Sequence, residues 1–301
     1  MSNLKQKSLV YVKFPRTGLG NMLLLWARAI VFSRLNNLEL ITSGWFGFSW
    51  GALLRREKKT RLYWRYFRES SVMKKVRFKY LLRFSKVMVE PKVEMLPENL
   101  TPDNTVYLFN KVMTDHDLFG PLGSHIDLIR EELLKLLHPS KQILLQKFDQ
   151  PVIGVHIRRG DFNLGSTVTP LSFFIEGIKI IREEVGEEWP VTVFTDADKV
   201  EIADLFNLPL VKLAEEKADI LDILLLAKSK VLLLSATSTF SYFAAFLSNA
   251  FVVMPANDWL GSIKNNAVEK DGYFEMKWQY DDEISTAVFT KNIKGRQLET
   301  R

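Results

Sequence analysis

The chain alternates short apolar runs with longer stretches in which apolar residues recur every three or four positions. "LVYVKF" at 9 to 14 reads as a strand. A glycine-bearing turn follows, then "NMLLLWARAIVFSRLN" with the helical period, then a second apolar run, "LELIT". Strand, crossover helix and strand in that order predict a parallel pair of the doubly wound type. Residues 123 to 138 carry a helical pattern that "HPSKQ" ends. Beyond residue 150 a second series begins. "PVIGVHI", "VTVFT" (191 to 195) and "KVLLLS" (230 to 235) are apolar runs between polar turns, as expected of strands covered on both faces. "PLSFFIEGIKIIREEV", "KVEIADLFN", "ADILDILLLAKS" and "STFSYFAAFLSN" read as helices between and after them.

The basic stretch at 55 to 86 and "VMVEPKVEMLPENLTPDNTVYLFN" break both periods and read as an insertion carrying short strands. The pattern as a whole predicts an α/β chain of two Rossmann-like halves joined near residues 140 to 150. Residues 1–145 would form the first domain and 146–301 the second, with a ligand in the cleft between them, at the carboxyl ends of the strands.

A length of 301 residues with 47% hydrophobic content supports a sizeable core. The absence of cysteine excludes a disulfide scaffold, a thiolate metal site and a catalytic thiol, and fits a reducing compartment. No apolar run approaches the roughly 18 to 20 residues of a membrane span. The first apolar stretch contains Lys13 and has no small-residue cleavage site behind it, so it reads as a strand and not a signal peptide. The expectation is a cytoplasmic protein. Its net charge of +6 is concentrated in residues 55–86, where thirteen Lys or Arg face two Glu among seven aromatic residues. Three uses of that stretch stay open: a solvated basic helix pair with its aromatics in the core, a surface docking on anionic lipid or a lipid-pyrophosphate acceptor at the inner membrane face, and nucleic-acid binding. The overall expectation is of no nucleic-acid partner.

The densest chemistry is "VHIRRGDF", residues 155 to 162, at the exit of a predicted strand. Residues just past such a strand end line the ligand crevice of an open parallel sheet. Alternation puts His156 and Arg158 on one face and Ile157 and Arg159 on the other, so one arginine can meet a ligand while its neighbour anchors the loop. A guanidinium is a planar, permanently charged fork that fits two phosphate oxygens and can stabilise charge on a departing diphosphate without a metal. Asp161 could hold Arg159 or cap the turn at Gly160.

"VHIRRGDF" resembles the His-x-Arg-Arg-Gly-Asp-aromatic motif of glycosyltransferase family 11, the α-1,2-fucosyltransferases. "TGLGNMLLLWARA" (17 to 29) is similar to that family's Gly-Leu-Gly-Asn motif, and "LLLSATSTFSYFAAFLS" (232 to 248) to its Ser-rich segment. "VFTDAD" and "VVMPANDWL" fall where the family has an acidic motif after a strand and a Pro-x-x-x-Trp-like ending. The resemblance implies the GT-B architecture, GDP-fucose bound mainly by the second domain, transfer with inversion to a galactose-containing glycan, and no required metal or other cofactor. It implies that Arg158 contacts the diphosphate, His156 the nucleoside side, and Asp196 the guanine or ribose, with Arg159 beside them. Thr237, Ser238, Thr239 and Phe240 would line the phosphates at a helix start. Gly18, Gly20 and Asn21 would bring the first domain's loop close to the transferred sugar.

Met22 stands where the family has Gln, and Thr237-Ser238-Thr239 where it has Asn-Ser-Ser, so the resemblance speaks to the donor more than to the acceptor or linkage. An inverting transfer also needs a base within roughly 2.6 to 3.2 Å of the acceptor hydroxyl, or one water away. Asp161 is the nearest charged candidate, Asn21 can orient the acceptor, and a water or another acid stays open. Related transferases using another nucleotide sugar, and a non-enzymatic basic module binding anionic lipid or RNA, are the alternatives.

Weaker signals have plainer readings. "DAD" at 196 to 198 matches a metal-holding acidic pair of another transferase fold, but stands beside arginines already suited to the leaving group. "GLGNML" with Glu39 approximates a dinucleotide fingerprint, yet Leu23 replaces the third glycine. His116, His125 and His138 lack zinc spacing. Asp219 and Asp222 suit helix capping, and Trp259 and Phe240 suit packing better than sugar stacking.

Overall fold

The computed structural model describes residues 8–45, 63–68, 85–95, 104–112, 117–159, 168–215, 218–264 and 272–295. Asp161, Gly160, His116 and most of the basic stretch fall outside them. The chain divides into two compact units, Met1–Ile143 and Leu144–Arg301.

The first unit holds β1 (Leu9–Val12), α1 (Leu19–Leu35), β2 (Glu39–Thr42), β3 (Lys86–Val89) and β4 (Thr105–Phe109), followed by a 3₁₀ turn (Gly120–His125), α2 (Ile126–Leu136) and the start of α3 (Pro139–Leu145). Its sheet runs β2-β1-β4-β3, and every pairing is parallel. α1 is buried at fourteen positions because its apolar residues occupy nearly all sides, as a helix covered all round requires. It stops where Asn37 turns into the left-handed region at φ 50 and the Leu38 N–H reaches back to the Ser33 carbonyl, 2.9 Å away. The helix expected over 123 to 138 is in fact a 3₁₀ turn and then α2. Leu137 is extended, and Pro139 opens a fresh helix at the position where its missing N–H costs nothing. In the basic stretch, Tyr63 and Phe67 are buried, with Phe67 against Trp45 at 4.0 Å, whereas Trp64 is exposed under Arg65.

The second unit holds β5 (Ile153–Ile157), α4 (Leu171–Val185), β6 (Val191–Thr195), a 3₁₀ segment (Lys199–Asn207), β7 (Val211–Leu213), α5 (Asp219–Leu226), β8 (Val231–Leu234), α6 (Thr239–Leu247), β9 (Phe251–Pro255), β10 (Phe274–Trp278) and α7 (Glu283–Gly295). Its sheet is wholly parallel in the order β10-β9-β8-β5-β6-β7. β5, β8 and β9 are buried at every residue, as strands covered on both faces must be. Gly154 lets β5 lie against the turn before β8, since a Cβ there would sit 2.3 Å from Ser229 Oγ. α4 ends on Gly186 in the left-handed region at φ 69, its N–H on the Arg182 carbonyl at 3.0 Å. "KVEIADLFN" forms 3₁₀ turns behind a capping box in which Asp198 and Glu201 satisfy each other's backbone N–H groups.

This order places a topological switch point in the second unit. From β5 the chain runs outward through β6 and β7, then crosses back to β8 and outward through β9 and β10. The carboxyl ends of β5 and β8 flank the switch, the position at which doubly wound sheets bind nucleotides. Both units are therefore α/β with parallel sheets.

Candidate functional site

"HIRR" occupies one side of that switch point. His156 and Ile157 close β5 fully buried, and the chain then emerges into Arg158 and Arg159. The register is fixed from the neighbouring strands. Ser235, just past β8, takes the Arg158 N–H on its hydroxyl at 2.9 Å and donates its own N–H to the His156 carbonyl at 3.1 Å. Thr195, ending β6, donates to the Ile157 carbonyl at 2.8 Å.

The two arginines divide as alternation predicts. The Arg158 side chain is 28% exposed and pairs with Asp196 Oδ2 through Nη1 at 2.5 Å. Arg159 is buried, its Nη1 turned back on the Arg158 carbonyl at 3.2 Å and its N–H held by Asp196 Oδ1 at 2.8 Å. Burial lowers the Arg159 pKa against the opposing pull of Glu201 and Asp196, but a guanidinium stays charged throughout. Asp196 thus grips side chain and backbone of the arginine segment at once, while Asp198, two residues on, caps the 3₁₀ segment.

Across the switch, β8 leads into Ser235-Ala236-Thr237-Ser238 and α6. Thr237 has a φ of 59, a left-handed conformation that a β-branched residue adopts only under constraint, and Ser238 is the extended N-cap with no side-chain capping bond. The first N–H groups of α6 have no intrahelical acceptor, and the helix dipole adds positive potential there. Phe240, in this first turn, lies over the His156 ring, with centroids 5.0 Å apart at 20°. Burial and the adjacent Arg158 charge push the His156 pKa down to about 3, so the imidazole is neutral at physiological pH. Its Nδ1 is buried without a hydrogen-bond partner, as is Thr237 Oγ1. Two such orphaned atoms beside an arginine fork and an uncapped helix start are what a polar ligand would satisfy.

Gly18, Gly20 and Asn21 lie at the other sheet's own switch, between β1 and β4. Gly18 is the N-cap of α1 at φ −67 and ψ 160, which any residue can adopt, and a Cβ there would meet nothing within 4 Å. Neither backbone nor packing of the protein therefore calls for glycine. Asn21 Nδ2 donates to Thr17 Oγ1 at 2.9 Å.

Two groups escaped the sequence reading. Arg28, 7% exposed on α1, is paired with Glu90 at 2.8 Å and with the Lys111 carbonyl at 2.9 Å. Glu90 in turn accepts the Asn110 and Lys111 N–H groups at 2.6 Å each. This cluster ties the ends of β3 and β4 to α1. Burial lowers the Arg28 pKa, and Glu90 opposes the shift. The second is Asp258, after β9, whose carboxylate is hydrogen-bonded to Tyr242 of α6. No local spacing marks either group, because both gain their partners only through strand adjacency. Among the described residues, no cluster of acidic and histidine side chains could hold a metal ion, and no helix is long and apolar enough to cross a membrane.

No protein-family model matches the chain, and no curated protein is similar to it. Solved structures are similar in fold. The α-1,6-fucosyltransferase NodZ of Bradyrhizobium, co-crystallised with GDP, superposes with a TM-score of 0.51 at 15% identity, over 84% of this chain and 97% of its own. A mutant of Arabidopsis thaliana FUT1 in complex with GDP gives 0.47 at 12% identity, over 88% and 74%, and E. coli heptosyltransferase WaaC with ADP-2-deoxy-2-fluoro heptose gives 0.46 at 11%, over 95% and 99%. With the two parallel sheets described above, the NodZ likeness identifies the fold as the GT-B type of glycosyltransferases.

Proposed function

We propose that the protein transfers L-fucose from GDP-fucose to a glycan hydroxyl, with inversion and without a metal, forming an α-1,2 linkage to galactose. The observation that carries the donor half is the placement of the partly exposed Arg158 fork and the uncapped start of α6 after β5 and β8, the two strands that flank the switch point of the second sheet. Both supply fixed positive potential where a diphosphate would gain charge as it leaves. The GDP co-crystallised with the similarly folded NodZ supports a guanosine diphosphate as the nucleotide. The α-1,2 linkage and the galactoside acceptor rest on the five ordered segments that resemble family 11.

In this reading residues 146–301 hold the donor and 1–145 the acceptor, with Gly18 and Gly20 giving the sugar close access and Asn21 orienting it. The acceptor oxygen attacks the anomeric carbon of fucose as the bond to the β-phosphate oxygen breaks. The pair of electrons leaves on GDP, and the hydroxyl proton passes to a base, for which Asp161 is the candidate. His156, Asp196, Thr237, Ser238, Thr239 and Phe240 would surround the nucleotide, and Arg159 would fix the loop carrying Arg158. Residues 55–86 would bring the enzyme to a lipid-linked acceptor at the inner membrane face.

The test ranks GDP-fucose, GDP-mannose and UDP-sugars by thermal shift, then assays transfer over a panel of galactosides with the linkage read by NMR. GDP-fucose is expected to rank first, and Arg158→Ala to reduce transfer at least about a hundredfold, the scale of losing one transition-state donor. Full transfer by Arg158→Ala would overturn the assignment. Tight salt-dependent binding to RNA or anionic vesicles, with no shift from any nucleotide sugar, would replace it with a binding module.

A further inference from the structure

Asp258 lies in the loop after β9, 5% exposed, and its carboxylate accepts hydrogen bonds from the turn between β8 and α6, from α6 itself and from its own loop. Oδ2 accepts the hydroxyl of Tyr242, one turn into α6, and the backbone N–H of Thr237 at a longer 3.4 Å. Oδ1 accepts the Leu260 N–H at 3.1 Å. The loop is itself pinned. The Asp258 N–H reaches the Pro255 carbonyl at 3.1 Å, the Asp258 carbonyl accepts Lys277 Nζ at 2.7 Å, and the Ala256 N–H meets the Trp278 carbonyl at 3.0 Å. A carboxylate anchored to β9 and β10 therefore reaches across to the one strained residue of the β8 turn, Thr237. A left-handed β-branched residue persists only where its surroundings over-determine it, and such strain concentrates at ligand sites.

We infer that Asp258 is a positioning residue that braces Thr237 in its left-handed conformation and so aims the start of α6 at the donor's diphosphate. The inference rests on the donor reading above. Tyr242 is the second strut, and burial beside Asp258 raises its pKa, so the phenol stays protonated and donating. Asp258 does not touch the ligand itself. Its effect passes through the backbone of residues 237 to 239.

The test uses the full chain and measures GDP and guanosine binding by calorimetry beside thermal melts. Asp258→Asn keeps the volume but turns one acceptor into a donor that must face the Leu260 N–H or the Thr237 and Tyr242 donors. It is expected to weaken GDP about tenfold while leaving guanosine within about twofold. Tyr242→Phe should act in the same direction by a smaller factor. In a Thr237→Gly background, Asp258→Asn should weaken GDP by a smaller factor than it does in the unaltered protein, because glycine holds a positive φ without a brace and the lost Thr237 hydroxyl is common to both. Unchanged GDP affinity in Asp258→Asn, or GDP and guanosine weakening together, would overturn the inference. If the unaltered protein binds neither GDP nor GDP-fucose, the donor reading falls separately. The brace is then decided by melting temperature: Asp258→Asn and Thr237→Gly shift it non-additively if Asp258 sets the turn, and additive shifts reject it.

Discussion

Arg158 Nη1 and Asp196 Oδ2 are 2.5 Å apart, and each side chain is less than a third exposed. The pair holds the guanidinium in one orientation before any ligand arrives. Partly exposed ion pairs contribute up to about 1 kcal/mol to stability, so Asp196→Asn should lower the melting temperature by only about 2 to 4 °C. The asparagine can still accept the Arg159 N–H. The cost should fall instead on the donor, with kcat/KM for GDP-fucose reduced about tenfold as the fork loses its fixed pose. Donor kinetics indistinguishable from those of the unaltered protein would show that Asp196 does not orient Arg158.

Arg158→Lys separates charge from shape. Lysine keeps the positive charge but presents a point charge in place of a planar fork, so it should restore transfer only in part, leaving it about tenfold or more below the unaltered protein. Recovery to full rate would mean that charge alone does the work.

Asp198 has a structural task that the "DAD" spacing conceals. Its side chain and that of Glu201 cap the 3₁₀ segment reciprocally. Removing such a cap costs about 1 kcal/mol, so Asp198→Ala should melt about 2 to 4 °C lower with GDP binding unaltered. EDTA should leave both variant and unaltered protein equally active. Loss of activity in the unaltered protein on adding EDTA, restored by a divalent cation, or an Asp198→Ala protein that melts unchanged, would overturn this reading of Asp198.

The contrast between Asp196 and Asp198 shows what a sequence carries. Runs such as "VIGVHI" and "VLLLS" are strands because they can be buried on both faces, and their order along the chain sufficed for the parallel α/β fold. β9, "FVVMP", is equally apolar, but it runs straight into the Pro-x-x-x-Trp-like segment, and β7 is three residues beside an exposed Leu210, too short for periodicity. β10, "FEMKW", alternates Phe274, Met276 and Trp278 with Glu275 and Lys277, the period of a half-buried strand, but five residues on the far side of the last motif carry too little signal by themselves to place it in the sheet. Arg158 was legible because it follows a strong strand directly. Asp258 was not, since its partner Tyr242 is sixteen residues away and meets it only because β8 and β9 are adjacent. Glu90 was hidden in the same way, in a stretch whose prolines mask the short strand before it.

Glu90 and Arg28 form a largely buried ion pair in the first unit, with side chains 19% and 8% exposed. Glu90→Ala would strand the Arg28 guanidinium and leave the Asn110 and Lys111 N–H groups without their acceptor. Breaking a buried pair from one side costs about 3 to 5 kcal/mol, so the variant should lose a large part of its stability in urea. Replacing both, as Arg28→Met with Glu90→Ala, removes the stranded charge and should cost less than Glu90→Ala alone. A double variant as unstable as the sum of its single ones would show the two charges to be uncoupled.

His156 gives the protein a specific acid response. Its pKa is about 3 in the folded chain against 6.5 when unfolded. Below pH 6.5 the unfolded chain therefore takes up a proton that the folded one refuses, and stability falls as pH falls. This contribution is complete above about pH 6.5. It is lost at about 1.4 kcal/mol per pH unit down toward the folded value. Denaturant melts of the unaltered protein and of His156→Phe at pH 7, 6, 5 and 4 isolate the effect, because every other titrating group is common to both. The difference in unfolding free energy between them should drift by about one proton's worth per pH unit below 6, with the phenylalanine variant gaining relative stability as the solution is acidified. Parallel curves would mean that the imidazole is protonated in the fold, and its stacking on Phe240 would then have to accommodate a cation beside Arg158.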